Sequence, residues 1–201
     1  MKTLKSILPL LAATALTLAA VAQETVDIED ARKGARLLTE KLGEVSDAPF
    51  KIEADLDKPS GLRANEVRIL VIPDKKLTAE AIAKAGDKPL PVAQLWMLRV
   101  SPVTDGKATP NDKLRLLTIT ADGQEHQVNL HYLGIQKAGK DLQLVVFAKD
   151  KEPLLKLPLE KSDGTQSWPI EISGRKEEDR GILTLNLLGK YRAELTLTRQ
   201  E

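Results

Sequence analysis

Apolar residues recur with two different periods along this chain, and the period changes near Pro49. Between Ile28 and Leu42 they recur every three or four residues, which predicts one amphipathic helix. Asp27 is a suitable N-terminal cap for that helix, and Gly43 is a suitable stop. After Pro49 the dominant period is two, so the remainder is predicted to be mainly β.

The first part of this β region is predicted to contain three strands, Phe50–Leu56, Val67–Ile72 and Gln94–Val100. Thr78–Ala85 lies between the last two and predicts a short helix that is capped by Thr78. A parallel crossover would explain this order. Because the helix is short and the unit is not repeated, we interpret it as an insertion between sheet strands.

The second half of the chain predicts only strands and turns. Asp122-Gly123 separates two alternating runs and predicts a hairpin with a tight turn. Leu142–Lys149 predicts a further strand, and the proline-bounded run Leu154–Leu159 predicts an edge strand. A last hairpin is expected to pair Ile182–Leu188 with Tyr191–Thr198.

About nine or ten short strands separated by turn signals are typical of an antiparallel β-sandwich and less typical of a barrel. We therefore expect a mainly β sandwich with an N-terminal helix and one short inserted helix. The fragment Gly189-Lys190-Tyr191-Arg192-Ala193 is similar to the tyrosine corner of immunoglobulin-like sandwiches. In that fold another strand follows the tyrosine, whereas this chain ends soon after Tyr191, so we assign no family.

The N-terminus has the layout of a secretory signal peptide. Lys2 and Lys5 precede the apolar run Ile7–Leu18, and Ala20-Val21-Ala22 is a suitable cleavage site. An uncleaved membrane anchor is the alternative. The apolar run is broken by Pro9 and is shorter than the roughly 20 residues that a spanning helix needs, which favours cleavage. The chain is therefore expected to be secreted or periplasmic.

These patterns divide the chain into a signal peptide at 1–22, an N-terminal helical segment at 23–45 and a β-sandwich domain at 46–201. Ser101–Asp112 is rich in proline and turn residues and is the most suitable place for a boundary within the sandwich. We favour one domain, because each half would be marginal as an independent core.

Composition narrows the classes of function. The chain has no cysteine, which excludes disulfides and thiolate metal sites, and only 3% of its residues are aromatic. Its formal net charge of +1 would fall slightly below zero once Lys2 and Lys5 were removed. This balance disfavours a nucleic-acid partner, and no membrane partner is expected after cleavage. Another exported protein is the expected partner.

Three carboxylates, those of Glu53, Asp55 and Asp57, follow one side of the predicted strand Phe50–Leu56. Calcium prefers several oxygen ligands, so this stripe is the best metal candidate, and the alternative is a solvated outer face. A second acidic loop contains Asp105, Asn111 and Asp112. The only two histidines, His126 and His131, are predicted on opposite faces of one strand and so do not form a ligand pair.

The densest run of charge lies between Gly174 and Gly181. It consists of Arg175, Lys176, Glu177, Glu178, Asp179 and Arg180. Such a run is typical of a mobile hairpin loop, and the functional alternative is a docking loop for a protein partner.

The sequence contains no nucleophile elbow, phosphate loop, dinucleotide fingerprint or His-Glu-x-x-His motif. We therefore expect an exported, non-catalytic sandwich with a binding or structural role and no cofactor. A calcium-stabilised binding domain is the first alternative, and a hydrolase with dispersed carboxylates is the second.

Overall fold

A computed structural model describes residues 23–200, which form two antiparallel sheets and two α-helices. The helices are α1 (Ile28–Glu40) and α2 (Ala79–Ala83), and 3₁₀ turns occupy Lys41–Glu44 and Asn111–Lys113. Within the described residues there are fourteen strands: β1 (Glu24–Thr25), β2 (Ser60–Ala64), β3 (Val67–Pro73), β4 (Leu90–Leu98), β5 (Val100–Thr104), β6 (Lys107–Ala108), β7 (Leu116–Ala121), β8 (Gln124–Ala138), β9 (Asp141–Phe147), β10 (Leu155–Pro158), β11 (Glu160–Lys161), β12 (Ile170–Glu177), β13 (Arg180–Leu187) and β14 (Tyr191–Arg199).

The larger sheet has the strand order β1-β2-β3-β4-β8-β9-β10, and β7 pairs with the first half of β8. The smaller sheet has the order β12-β13-β14-β5-β6, and β11 pairs with the start of β14. Neighbouring strands are antiparallel in both sheets. The predicted mainly β fold with a sandwich-like arrangement of antiparallel sheets is confirmed.

The larger sheet separates two apolar cores. The sandwich core lies between the sheets and contains Val71 and Leu95. The outer core lies between the larger sheet and α1, and it contains the neighbouring residues Ile72 and Trp96. Because successive residues of a strand point to opposite faces, β3 and β4 contribute side chains to both cores.

Helix α1 begins where its cap was predicted. The Asp27 carboxylate accepts a hydrogen bond of 2.9 Å from the Glu29 backbone N–H. Ala31, Ala35 and Leu38 form the buried face of the helix. The regular helix ends at Glu40, slightly earlier than the periodicity indicated, and Gly43 lies in the 3₁₀ turn that follows.

The prediction of a strand at Phe50–Leu56 is wrong. Within the described residues, this segment forms only one isolated bridge, between Ala54 and Asp74, which lies directly after the end of β3. Its alternate residues Phe50, Ile52, Ala54 and Leu56 nevertheless pack against the outer core. The segment lies across the outer face of the larger sheet, so burial on one side produces the period of two without a hydrogen-bonded ladder.

The run Gln94–Val100, predicted as one strand, is divided between the two sheets. β4 ends at Leu98 in the larger sheet, and β5 begins at Val100 in the smaller sheet. Arg99 lies between them with φ at +64°, a left-handed conformation that turns the chain sharply. The residues on either side of Arg99 are apolar because the sheets bury them, whereas Arg99 itself is exposed, and it is the one charged residue in the run.

Several local predictions are confirmed. The Asp122-Gly123 turn has positive φ at both residues, as a two-residue hairpin requires. Thr78 caps α2 by accepting a hydrogen bond from the Ala81 N–H. β3 and β4 are antiparallel, so α2 is an insertion and not a parallel crossover.

The side chain of Arg115 fills the gap between the ends of β7 and β9. Its guanidinium donates to the carbonyls of Ala148 and Lys149 at 3.1 Å each. It also pairs with Asp47 and lies 5.9 Å from the ring centre of Tyr132. The hydrogen bond from Arg115 lowers the pKa of Asp47. This buried arginine therefore joins the chain before residue 50 to the larger sheet.

No helix within residues 23–200 is long and apolar enough to cross a membrane. The predicted signal peptide at 1–22 lies outside the described residues.

We expect Asp74→Ala to lower the free energy of unfolding by about 2 kcal/mol, because a buried carboxylate that accepts two backbone N–H groups would be lost. Asp74 accepts from the N–H of Glu53 at 2.8 Å and of Lys76 at 2.7 Å. Urea denaturation is the measurement. Glu53→Ala is the matched control and should change stability little, since its side chain is exposed. Equal losses in the two variants would contradict this role of Asp74.

Candidate functional site

A groove of about 830 Å³ opens between the two sheets along one edge of the sandwich. At the closed end of this edge the sheets are in contact, because the Ile172 N–H donates to Ser60 Oγ at 3.2 Å. Beyond that contact β2 and β3 diverge from β12, β13 and β14, and the groove lies between them. Its volume lies within the range of about 300–1,000 Å³ that is typical of small-molecule sites.

The floor of the groove is apolar. Five buried residues of the sandwich core reach it: Leu62, Ile69, Val100, Leu183 and Leu197. These side chains come from both sheets, and no element contributes more than one of them. The floor is therefore formed by the core side chains that lie at the edge of the sandwich.

The rim of the groove is mainly cationic. The lining residues include five cations and one carboxylate: Arg63, Arg175, Lys176, Arg180, Arg199 and Asp179. Two of the arginines are neutralised by ion pairs. Arg63 lies 2.6 Å from a carboxylate oxygen of Glu24, and Arg175 forms a bidentate pair with Glu194 at 2.8 and 2.9 Å.

The ion pairs on the outer face of the smaller sheet are strong enough to shift pKa values. The hydrogen bond from Arg175, with help from Arg192, lowers the pKa of Glu194 to about 2. The same contact, together with Glu177, raises the pKa of Arg175. Arg175 therefore lines the groove with its charge already compensated.

The remaining cations of the rim keep their charge uncompensated. The guanidinium of Arg180 donates to the Gly106 carbonyl at 2.9 Å, which is a neutral partner. Within the described residues, Lys176 and Arg199 make no ion pair and no side-chain hydrogen bond. The single carboxylate of the rim, Asp179, is likewise unpaired. Positive charge is therefore in excess at this site.

The charged run predicted as an interaction loop lies at this groove. It is a tight hairpin: β12 extends to Glu177, β13 begins at Arg180, and only Glu178 and Asp179 form the turn. Arg175, Lys176, Asp179 and Arg180 line the groove. Glu177 contacts Arg175, and Glu178 has φ at +53° in the turn.

The carboxylates predicted as a calcium site lie elsewhere, on the irregular segment outside the larger sheet. Glu53 is 3.0 Å from the ammonium of Lys76, and Asp55 is 3.8 Å from that of Lys58. The Lys76 contact lowers the pKa of Glu53. Asp57 is exposed, and its backbone N–H donates to Asp55.

Metal-ligating groups are dispersed in the part of the chain that the structure describes. No group of three or more histidine, aspartate or glutamate side chains there is arranged to hold a metal ion. In the second acidic loop, Asn111 accepts a hydrogen bond of 2.8 Å from Gln200, and Asp105 lies in a turn. Asp112 lies in the 3₁₀ turn Asn111–Lys113.

The two histidines lie on opposite faces of β8, as the alternation predicted. His131 is fully buried beside Asn129, whereas His126 is half-exposed. Neither ring nitrogen of His131 makes a hydrogen bond of normal geometry within the described residues. Burial lowers the pKa of His131 to about 4, against a weak interaction with the Phe147 backbone, and the charge of Arg115 acts in the same direction as burial.

Arg63, Arg199 and the apolar floor were not predicted from the sequence as parts of a site. The alternation of β14 is a signal for Arg199, because this residue continues the row of inward residues Ala193, Leu195 and Leu197. The signal is incomplete, since no local pattern indicates that β2 and β3 face this end of β14.

No known family model matches this chain, and neither a curated protein nor a solved structure is similar to it.

We expect stability to fall by about 3 kcal/mol as the pH decreases from 6.5 to about 4, because the unfolded state binds a proton at His131 that the folded state rejects. A group with a lowered pKa stabilises the fold above its unfolded pKa, and this contribution is lost at lower pH. The carboxyl groups whose pKa values are lowered in the folded state, such as that of Glu194, change the stability mainly below about pH 4.5.

Urea denaturation between pH 5 and 7 isolates the contribution of His131. His131→Gln should remove most of the pH dependence in this window, and His126→Gln is the matched control that should retain it. An unchanged slope in His131→Gln would contradict the assignment.

Proposed function

We propose that this chain is a binding module whose ligand enters the groove between the diverging sheet edges. The observation that carries the proposal is the apolar floor, at which core residues such as Leu62 and Ile69, each 7% exposed, line a concave site of about 830 Å³. Apolar, concave surface is the usual basis of small-molecule binding, because a ligand gains by removing that surface from water.

The chemistry of the groove wall suits binding. Among the described residues that line the groove there is no histidine, serine or cysteine, Thr198 is the one hydroxyl side chain, and Asp179 is the one carboxylate. Nucleophilic catalysis requires a nucleophile beside a base, and general acid–base catalysis by carboxylates requires a pair. We therefore assign the groove a binding role.

We also propose that the module acts outside the cytoplasm. The basis is the sequence of residues 1–22, with its two lysines, apolar run and Ala-Val-Ala ending. A partner protein in the same compartment would supply or receive the ligand.

We expect Gly181→Val to weaken binding of the uncharged apolar dye N-phenyl-1-naphthylamine about tenfold, because the new side chain occupies the groove. A Cβ at Gly181 would lie 3.8 Å from Leu197 Cβ, an ordinary contact, and valine suits a strand, so the variant should fold. Fluorescence titration measures the affinity. Gly86→Val is the matched control, since Gly86 has open space around it and lies outside the groove. Equal affinity in the two variants would contradict the site.

We expect the exported protein to begin at Gln23, because the Ala-Val-Ala ending is a suitable cleavage site. Intact-mass spectrometry of the full-length gene product after expression with an active secretion pathway would test this. A mass that retains residues 1–22 would contradict cleavage. Replacement of Ala20 and Ala22 by bulky residues should block processing, whereas the same change at Ala13 and Ala15, which have the same spacing within the apolar run, should not.

A further inference from the structure

The two unpaired cations of the groove, Lys176 and Arg199, occupy special positions in the smaller sheet. Both continue rows of side chains that face the sandwich core. In β14 the row is Ala193, Leu195, Leu197 and Arg199, and in β12 it is Ile170, Ile172, Gly174 and Lys176. Each row therefore passes from buried apolar residues to a single cation at the mouth of the groove.

The register brings these two rows together across β13. Lys176 pairs with Gly181, and Gly181 pairs with Leu197. Because Gly181 has no side chain, the space between the two cationic rows is open. Arg199 lies two residues beyond Leu197, so two strand spacings of about 10 Å and a rise of about 7 Å along β14 place its Cα about 12 Å from that of Lys176. One lysine and one arginine side chain can close this distance around a small anion.

An anion at this position would experience little electrostatic repulsion. Arg63 and Arg175 are engaged with Glu24 and Glu194, so their charges are already compensated. Lys176, Arg180 and Arg199 remain as cations without an acidic partner, and they face the single carboxylate of Asp179. The apolar floor lies directly inward from these cations, next to Leu197 and Leu183.

The sheet edges beside the groove do not offer a long template for an added peptide strand. On β12, the N–H of Ile172 is taken by Ser60, and the side chain of Gln23 lies over Gly174. On the larger sheet, β1 already covers the edge of β2. A peptide would therefore find few free backbone partners, whereas a hydrocarbon chain needs none.

We propose that the ligand of the groove is a single-chain amphiphile with an anionic head, of the fatty-acid class. This inference rests on the proposed binding function of the groove. The hydrocarbon chain lies on the floor of core residues, and the carboxylate binds between Lys176 and Arg199. The guanidinium of Arg199 supplies a fork that fits a carboxylate, and the ammonium of Lys176 adds a second charged donor.

The test compares three probes with the same chain length, namely dodecanoate, dodecanol and dodecylamine, each used below its aggregation concentration. Displacement of N-phenyl-1-naphthylamine gives their affinities at low ionic strength. Dodecanoate should bind about tenfold more tightly than dodecanol, and dodecylamine should bind most weakly.

Charge variants of the rim should change the affinities for the charged probes relative to that for dodecanol. In the double variant Lys176→Gln with Arg199→Gln, dodecanoate should lose its tenfold preference over dodecanol, measured as the ratio of the two affinities in the same variant. Asp179→Asn should strengthen dodecanoate binding, because it removes the only carboxylate of the rim. Lys140→Gln is the control for net charge, since Lys140 is exposed in the turn between β8 and β9 and outside the groove.

The outcomes separate the two proposals. Dye binding that is sensitive to Gly181→Val, with equal affinity for the three probes, would overturn the anionic ligand and leave the binding function standing. Dye binding that is insensitive to Gly181→Val would overturn both. Binding to vesicles of anionic lipid without binding to monomeric dodecanoate would also overturn the fatty-acid assignment, because the ligand would then be a membrane surface.

Discussion

Burial of the larger sheet on both faces is the constraint that organises this molecule. Adjacent residues such as Val71 and Ile72, or Leu95 and Trp96, are almost completely inaccessible to solvent, although they point in opposite directions. With no cysteine and few aromatic residues, the chain must obtain its stability from aliphatic packing in two layers. Helix α1, the segment after it and the smaller sheet are all needed to cover this one sheet.

The groove follows from the same constraint. Sheets twist, so two packed sheets of unequal size cannot stay in contact along their whole edges. Here they meet at Ser60 and Ile172 and separate beyond that point. The core residues next to the opening form its floor, and charged residues at the strand ends surround them. An apolar floor with a cationic rim results from the geometry of the sandwich edge.

The rim of the groove carries an excess of positive charge. Some cations of this protein are paired with nearby carboxylates, as Arg175 at the rim is with Glu194 and Lys76 after β3 is with Glu53. At the mouth of the groove Lys176 and Arg199 keep an uncompensated charge within the described residues. Exposed ion pairs contribute little to stability, so the unpaired cations represent a capacity to bind anions at small cost to the fold.

The sequence by itself determined the local elements of this protein, because these depend on neighbours a few residues away. The sequence predicted the class of fold and three local features, namely the cap at Asp27, the Asp122-Gly123 turn and the inward row of β14. The charged run before Gly181 could also be identified from the sequence. Its position at a groove could not be predicted, because the apolar floor beside it includes residues more than a hundred positions away, such as Leu62.

Only the tertiary structure decided whether an alternating segment joins a sheet or lies across it. Phe50–Leu56 alternates because one side packs on the outer core, and the exposed Arg99 turns the chain between two buried stretches that belong to different sheets. In each case the pattern of apolar residues is the same whichever element packs against the buried face. The partner of a buried face is set by long-range packing, and a local pattern records that a face is buried but not what buries it.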